Sequence, residues 1–283
     1  MKNVIIIGSG PAGISASLYT IRAGFKTTVI SKTSGSLYKA HKIENYYGFS
    51  EISGRELYEK GIEGAKRLGV EFIDDEAVGL GFSDKFTVKT VNGEHSADAV
   101  IIATGTKREK PQISDIESYE GKGVSYCAVC DAFFHRGKDV CVLGNKSYAL
   151  SEANELINVV NSVTILTNGE NCEFSSERFK IIDKKIEALK GDGLLEKVEF
   201  SDGSEIATSG LFVAIGTAGG TDLAKKMGIA TEGNKIITDE NGMTNIPGIF
   251  AAGDCTGGTL QIAKAVYDGM KAGLGTINFL RKK

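Results

Sequence analysis

The chain has 283 residues, of which 36 are glycine and 3 proline, and carries a formal net charge of −3. That length allows two domains of ordinary size, and 41% hydrophobic against 24% charged residues is the balance of a globular protein with substantial apolar cores. A mildly acidic chain without an arginine-rich tract excludes nucleic acid as an expected partner, and no apolar run is long enough for a membrane span.

At the amino terminus a lysine precedes an apolar run, Val4 to Ile7, that stops at a glycine turn after four residues. It is too short for a secretory core, so the expected location is cytoplasmic and the five cysteines are expected to be reduced unless they do redox work. "NVIIIGSGPAGISASLYTIRAGFKTTVIS" predicts strand, glycine turn, helix, a stop at Gly24, and a second strand. Gly8, Gly10 and Gly13 give G-x-G-x-x-G between that strand and that helix, the setting in which the pattern marks dinucleotide binding. Residues 51 to 72 predict a helix-rich excursion. "ADAVIIATGTK", 97 to 107, predicts an apolar strand ending in Ala-Thr-Gly.

From Lys138 the first pattern recurs as "KDVCVLGNKSYALSEANELINVVNSVTIL", and "SGLFVAIGTAGG", 209 to 220, repeats the Ala-Thr-Gly strand as Ala-Ile-Gly. The duplication predicts an α/β protein with two nucleotide-binding, Rossmann-like (doubly wound) domains. A last strand, within "IPGIFAAGDC", is expected to rejoin the first sheet before an amphipathic helix. The second domain is therefore expected to be inserted in the first: residues 1–112 and 240–283 for one, 113–239 for the other.

Ahead of the second unit, "SYCAVCDAFFHR" places Cys127 and Cys130 two residues apart, followed by Asp131. A C-x-x-C can open and close a small disulfide ring with little backbone movement, and such thiols often have lowered pKa values. The competing reading is half of a zinc site. Structural zinc needs four ligands, and neither the isolated Cys141, Cys172 and Cys255 nor His41, His95 and His135 have ligand spacing, so no metal is expected.

"GSGPAG", "ENYYGF", "IIATGT", "CAVCD", "GLFVAIG" and "GIFAAGDC", in this order, resemble the low-molecular-weight thioredoxin reductase family over nearly the whole chain. The resemblance implies FAD on the first sheet, its pyrophosphate at the helix start after Gly8-Ser9-Gly10-Pro11-Ala12-Gly13. It implies that Thr104 and Gly105 line the cofactor, that Gly253-Asp254 holds the ribityl chain, and that Asn45 lies near the flavin. The helix beginning around Gln261 and Ile262 would point its positive end at the isoalloxazine. Cys130 would face the flavin, Cys127 would attack the partner disulfide, and Asp131 would move protons during exchange. Thioredoxin is the implied partner and a homodimer the implied assembly. Three positions depart from the family: Tyr47 where proline is usual, Gly35-Ser36 where Gly-Gln is usual, and Ser31 where a ribose-binding acid often stands.

The second turn, Gly144-Asn145-Lys146-Ser147-Tyr148-Ala149, has a lysine where the fingerprint needs a glycine. Members that use NADPH also carry an arginine cluster after the next strand. Here "TNGENCE", Thr167 to Glu173, supplies Glu170 and Glu173 instead. A Cβ at 146 occupies room the pyrophosphate needs, and carboxylates repel a 2′-phosphate. In these features the chain looks like the ferredoxin-dependent flavin thioredoxin reductases. Two electrons falling from about −400 mV in ferredoxin to about −270 mV in thioredoxin release roughly 6 kcal/mol. "TKREK" (106 to 110), Lys184-Lys185 and Arg281-Lys282-Lys283 are the candidate basic patches for ferredoxin. Still open are an NAD(P)H-dependent disulfide reductase with an atypical nucleotide site, a ferredoxin–NADP reductase of similar architecture, and a non-enzymatic flavin or thiol redox sensor.

Overall fold

The structure, a computed structural model, describes residues 1–283 apart from 33, 106–110, 112, 127, 217, 218 and 283, and apart from the side chains of residues 39, 129 and 130. The chain divides into two compact units, Met1–Lys107 with Gly219–Lys283, and Arg108–Ala218.

In the first unit, five parallel strands lie in the order Ile249–Ala251, Ala99–Ile102, Asn3–Ile7, Lys26–Ile30, Glu71–Ile73. The central strands are β-branched runs, and Val4, Ile5, Ile6, Val29 and Ile30 are all but sealed from water, as expected where both faces of a parallel sheet are covered. Helix Pro11–Arg22 starts with proline at its first position and is followed by Gly24 at φ +87°, the left-handed stop. Helix Gly54–Arg67 is capped by Ser53, whose hydroxyl accepts the amide of Glu56 at 3.1 Å. The long helix Ile262–Lys282 packs against Pro11–Arg22 so closely that a Cβ on Gly269 would lie 2.1 Å from the Ala12 carbonyl oxygen. Ala12, Ala16, Phe250, Ala272 and Leu280 fill the shared core. An antiparallel sheet, Ala77–Phe82, Phe86–Thr90 and Glu94–Ala97, completes the regular strands of the first stretch.

The second unit repeats the plan, with parallel strands in the order Lys180–Ile182, Ser162–Leu166, Asp139–Leu143, Gly210–Val213, Val124–Ser125. Helix Ser147–Leu156 follows the glycine turn, and a three-stranded antiparallel sheet spans Ile186–Lys190, Lys197–Phe200 and Glu205–Ala207.

The expected strand at Ile249–Ala251 does rejoin the first sheet, but the chain returns to the first unit at Gly219 and not near 240. Three local contacts explain the earlier return. Lys226 Nζ donates to the Val78 carbonyl at 3.0 Å, bringing helix Gly220–Lys226 onto strand Ala77–Phe82. The amide of Gly219 donates to Asp222 Oδ2 at 3.0 Å, capping that helix. The missing side chain of Gly220 lets its backbone approach Thr104 and Cys255. No helix of the described residues is long and apolar enough to cross a membrane.

Candidate functional site

The sequence-predicted residues of the first unit gather at the carboxyl ends of three parallel strands, the usual ligand position in a doubly wound sheet. Gly8 has φ +110°, and a Cβ there would lie 2.3 Å from the Ala103 carbonyl oxygen, so the turn presses on the strand that leads to Thr104. Gly13 is equally tight, with a virtual Cβ 1.9 Å from the Gly8 carbonyl oxygen. Gly10, at the N-cap of helix Pro11–Arg22, is different: nothing lies within 4 Å of its virtual Cβ. Two glycines are therefore required by packing. The middle one faces space that none of the described residues fills, beside first-turn amides that have no intrahelical acceptor. Ser9 Oγ donates to Ser31 Oγ at 3.0 Å and pairs with Tyr58 Oη at 2.9 Å.

Gly253, φ +82°, abuts Ala12, with a virtual Cβ 2.7 Å from the Ala12 Cβ, and carries Asp254 on a short 3-10 turn. Asp254 Oδ1 is buried with no hydrogen-bond partner among the described residues, and burial pushes its carboxyl above the usual carboxylate range, with the Lys264 charge opposing. A buried acceptor calls for a donor, which a water or a ligand hydroxyl can supply. Thr104 Oγ1 is likewise buried with no hydrogen-bond partner among the described residues and lies 2.5 Å from where a Cβ on Gly220 would stand, while Gly105 follows at φ +70°. Asn45 Nδ2 donates to Gln261 Oε1 at 3.2 Å, so two expected flavin neighbours meet although 216 residues separate them. Lys264, which the sequence reading passed over, ties the first turn of helix Ile262–Lys282 to the Asp254 turn. Its ammonium donates to the carbonyls of Gly253 (2.9 Å) and Gly257 and pairs with Asp268 at 2.8 Å.

In the second unit, Gly144 repeats Gly8: φ +155°, with a virtual Cβ 2.2 Å from the Ala214 carbonyl oxygen. Lys146 is the N-cap residue of its helix, the position Gly10 holds in the first. The turn is also occupied from outside. Lys146 Nζ pairs with Glu173 Oε1 at 3.0 Å, the Glu173 amide donates to the Asn145 carbonyl at 2.8 Å, and Asn145 Nδ2 donates to the Asn171 carbonyl at 3.0 Å. The segment that follows the next strand, which carries Glu173 and no arginine, is thus latched onto the turn.

Of the redox pair, Cys127 lies outside the described residues, and Cys130 is described only as part of the short helix Ala128–Asp131. Around them, Ser125 Oγ donates to Asp131 Oδ2 at 2.6 Å, and the amide of Ala128 donates to Glu152 Oε2 at 3.2 Å. Ser125 and Glu152 were not foreseen. The signal for Glu152 was present, because it falls on the helical stripe Tyr148, Ala149, Ala153, Leu156 that faces the core. His135 packs edge-on against Phe212, and burial, then the charge of Lys138, lowers its pKa, with Asp131 opposing. Burial pushes the thiols of Cys141 and Cys255 up to about 12, which keeps both protonated and unreactive at neutral pH. Among the described residues, no group of three or more His, Cys, Asp or Glu is placed to hold a metal. Of the basic candidates, 106–110 and 283 lie outside the described residues, Lys184 is paired with Asp202 at 2.7 Å, and Arg281 and Lys282 sit in the last turn of the final helix.

Comparison with known proteins bears on both turns. Residues 2–269 match the pyridine nucleotide-disulphide oxidoreductase family. A thioredoxin reductase of Listeria innocua is 35% identical over 291 residues, covering 96% of this chain and 91% of the relative. The crystal structure of an atypical thioredoxin reductase from Desulfovibrio vulgaris Hildenborough superposes with a TM-score of 0.95 at 42% identity, covering 100% of this chain and 99% of the other. A ferredoxin-flavin thioredoxin reductase from Clostridium acetobutylicum gives 0.74 at 31% identity, covering 100% and 99%.

Proposed function

The chain belongs to the pyridine nucleotide-disulphide oxidoreductase family, and from that premise we propose a thioredoxin-disulfide reductase that draws its electrons from reduced ferredoxin. It is an FAD-binding flavoprotein of the low-molecular-weight thioredoxin reductase type. The first unit fits that cofactor: Gly10 leaves room for a pyrophosphate above free amides, and the orphaned Asp254 Oδ1 awaits a ribityl hydroxyl. FAD supplies, when bound, the ability to take electrons singly and to pass them on as a pair. Gly8 to Gly13, Thr104, Gly105, Asn45, Gly253, Asp254, Gln261 and Ile262 hold and orient it in this proposal. Cys127 and Cys130 exchange with the partner disulfide, and Asp131, fixed by the Ser125 hydroxyl, holds or releases the accompanying proton.

The observation that carries the ferredoxin assignment is the latch across the second turn. A pyridine dinucleotide would have to displace the Lys146–Glu173 pair and the two hydrogen bonds of Asn145, one through its carbonyl and one through its side-chain amide, and would then meet a carboxylate where its phosphate needs a cation. The first glycine of that fingerprint and the small residue at its end, Gly144 and Ala149, are retained, which favours NADH or NADPH as the second reading. Work in the cytoplasm and assembly as a homodimer belong to the same proposal. Turnover with thioredoxin disulfide separates the readings. Reduced ferredoxin sustains it and NADPH does not; equal or faster turnover with NADPH overturns the assignment.

A further inference from the structure

Helix Ser147–Leu156 buries a carboxylate that neither nucleotide binding nor the dithiol exchange described above uses. Glu152 is only 2% exposed, within the apolar stripe of Tyr148, Ala149, Ala153 and Leu156. An apolar side chain there would need no partner, whereas a buried carboxylate persists only where N–H or O–H donors meet it. The duplication within the chain supplies the comparison. Counting from Gly8 and Gly144, the residue equivalent to Glu152 in the first unit is Ala16, fully buried on helix Pro11–Arg22. A donor that Glu152 meets is the amide of Ala128, at 3.2 Å, in the two-residue interval between Cys127 and Cys130. The other end of the same segment is fastened by Ser125 Oγ on Asp131 Oδ2 at 2.6 Å.

We propose that Glu152 is a positioning residue for the Cys127–Cys130 redox pair, its carboxylate holding the Ala128 amide and so fixing the backbone between the two cysteines. The inference rests on the reading of that pair as the exchange centre. Disulfide geometry tolerates only a narrow range of Cα separations, so a backbone held in place raises the effective concentration of one thiol at the other. Closing the ring against glutathione disulfide oxidises the two thiols and forms one S–S bond while the S–S bond of glutathione disulfide breaks, and the two molecules of reduced glutathione released carry off the electron pair and both protons. An anchored segment favours the ring side of that exchange. This also gives the helix of the latched turn a task that needs no dinucleotide.

The test is the exchange equilibrium of the holoprotein over a series of glutathione ratios, read by alkylation and mass analysis of the 127–130 pair. Glu152→Ala is expected to shift it toward the dithiol about tenfold, the scale of leaving one buried amide without its acceptor, while Glu152→Gln, whose amide oxygen still accepts, stays within about twofold of the parent. Amide exchange at Ala128 provides the second readout: protected in the parent and in Glu152→Gln, fast in Glu152→Ala. An equilibrium in Glu152→Ala within about twofold of the parent, with or without a lower melting temperature, overturns the proposal. A shift in Glu152→Gln as large as that in Glu152→Ala also overturns it, because charge and not the anchor would then act. If Glu152→Ala does not fold, Glu152→Gln decides alone: parent-like equilibrium with a protected Ala128 amide supports the proposal, and a tenfold shift or a fast amide refutes it. A parent protein whose cysteines form no disulfide at any ratio would instead bring down the functional reading on which this rests.

Discussion

Alanine at Gly10 should impair cofactor binding and alanine at Gly13 the fold itself, and the structure gives the reason. Among the described residues nothing lies within 4 Å of a Cβ on Gly10, whose φ of −69° any residue adopts. The folded apoprotein should lose only the N-cap preference for glycine over alanine, about 0.5–1 kcal/mol. The methyl nevertheless stands in the space a pyrophosphate must enter. At about 1–3 kcal/mol for one carbon forced into an occupied site, FAD affinity should fall roughly five- to 150-fold. A Cβ on Gly13 would lie 1.9 Å from the Gly8 carbonyl oxygen, so backbone must move and the apoprotein itself should lose about 3 kcal/mol or more. The assay is denaturant unfolding of each apoprotein, then titration with FAD followed by quenching of flavin fluorescence. A Gly10→Ala protein that binds FAD as the parent does, or a Gly13→Ala apoprotein as stable as the parent, would refute the steric reasoning. The same reasoning condemns the second turn, where Lys146 stands in Gly10's place.

Asp254→Ala should weaken FAD binding about ten- to 100-fold, the loss of a hydrogen bond to a charged acceptor, measured by the same quenching titration; unchanged affinity would remove Asp254 from the site. Iodoacetamide at pH 7.5 should leave Cys141 and Cys255 unmodified in the folded protein, since burial holds both thiols up to about 12, and mass analysis showing rapid labelling of either contradicts this. His135 has a lowered folded pKa, so the fold prefers its neutral form. Its contribution to stability is full above the unfolded value of about 6.5 and drains away as the pH falls from there toward the folded pKa. Urea midpoints at pH 7.5 and 5.5 should therefore differ less in His135→Gln than in the parent. Glu173→Gln should cost under about 1 kcal/mol of stability, because both partners of its ion pair are well exposed; a loss above about 2 kcal/mol would make the latch a folding element and not a block to a ligand.

What could be read from the sequence was whatever is written locally. The glycine spacing at 8, 10 and 13 dictates a turn between strand and helix, and a repeat of the same strand–turn–helix pattern from 138 carries the duplication. The substitution of Lys146 for a glycine was visible at once because the first turn supplies its own comparison. Contacts made by residues far apart in the chain were not legible. The pairing of Asn45 with Gln261, and of Lys264 with the carbonyls around Asp254, depends on where a late helix docks. The return at Gly219 was missed because Gly220–Lys226 and the short hairpin Thr231–Glu232 with Lys235–Ile236 are too brief to carry a periodic pattern. Glu152 differs from these, since its place on an apolar helical stripe was open to inspection and its contact with the Ala128 amide required the fold.

Anaerobic titration of the oxidised yellow protein with NADPH, NADH and reduced ferredoxin, each followed at the flavin absorbance band, tests the choice of electron donor most directly. Loss of that band with reduced ferredoxin, and no change with micromolar NADPH or NADH, is the predicted result. Rapid loss with either pyridine nucleotide, and none with reduced ferredoxin, would mean that the Lys146–Glu173 latch opens to admit a dinucleotide and that the proposed donor is wrong.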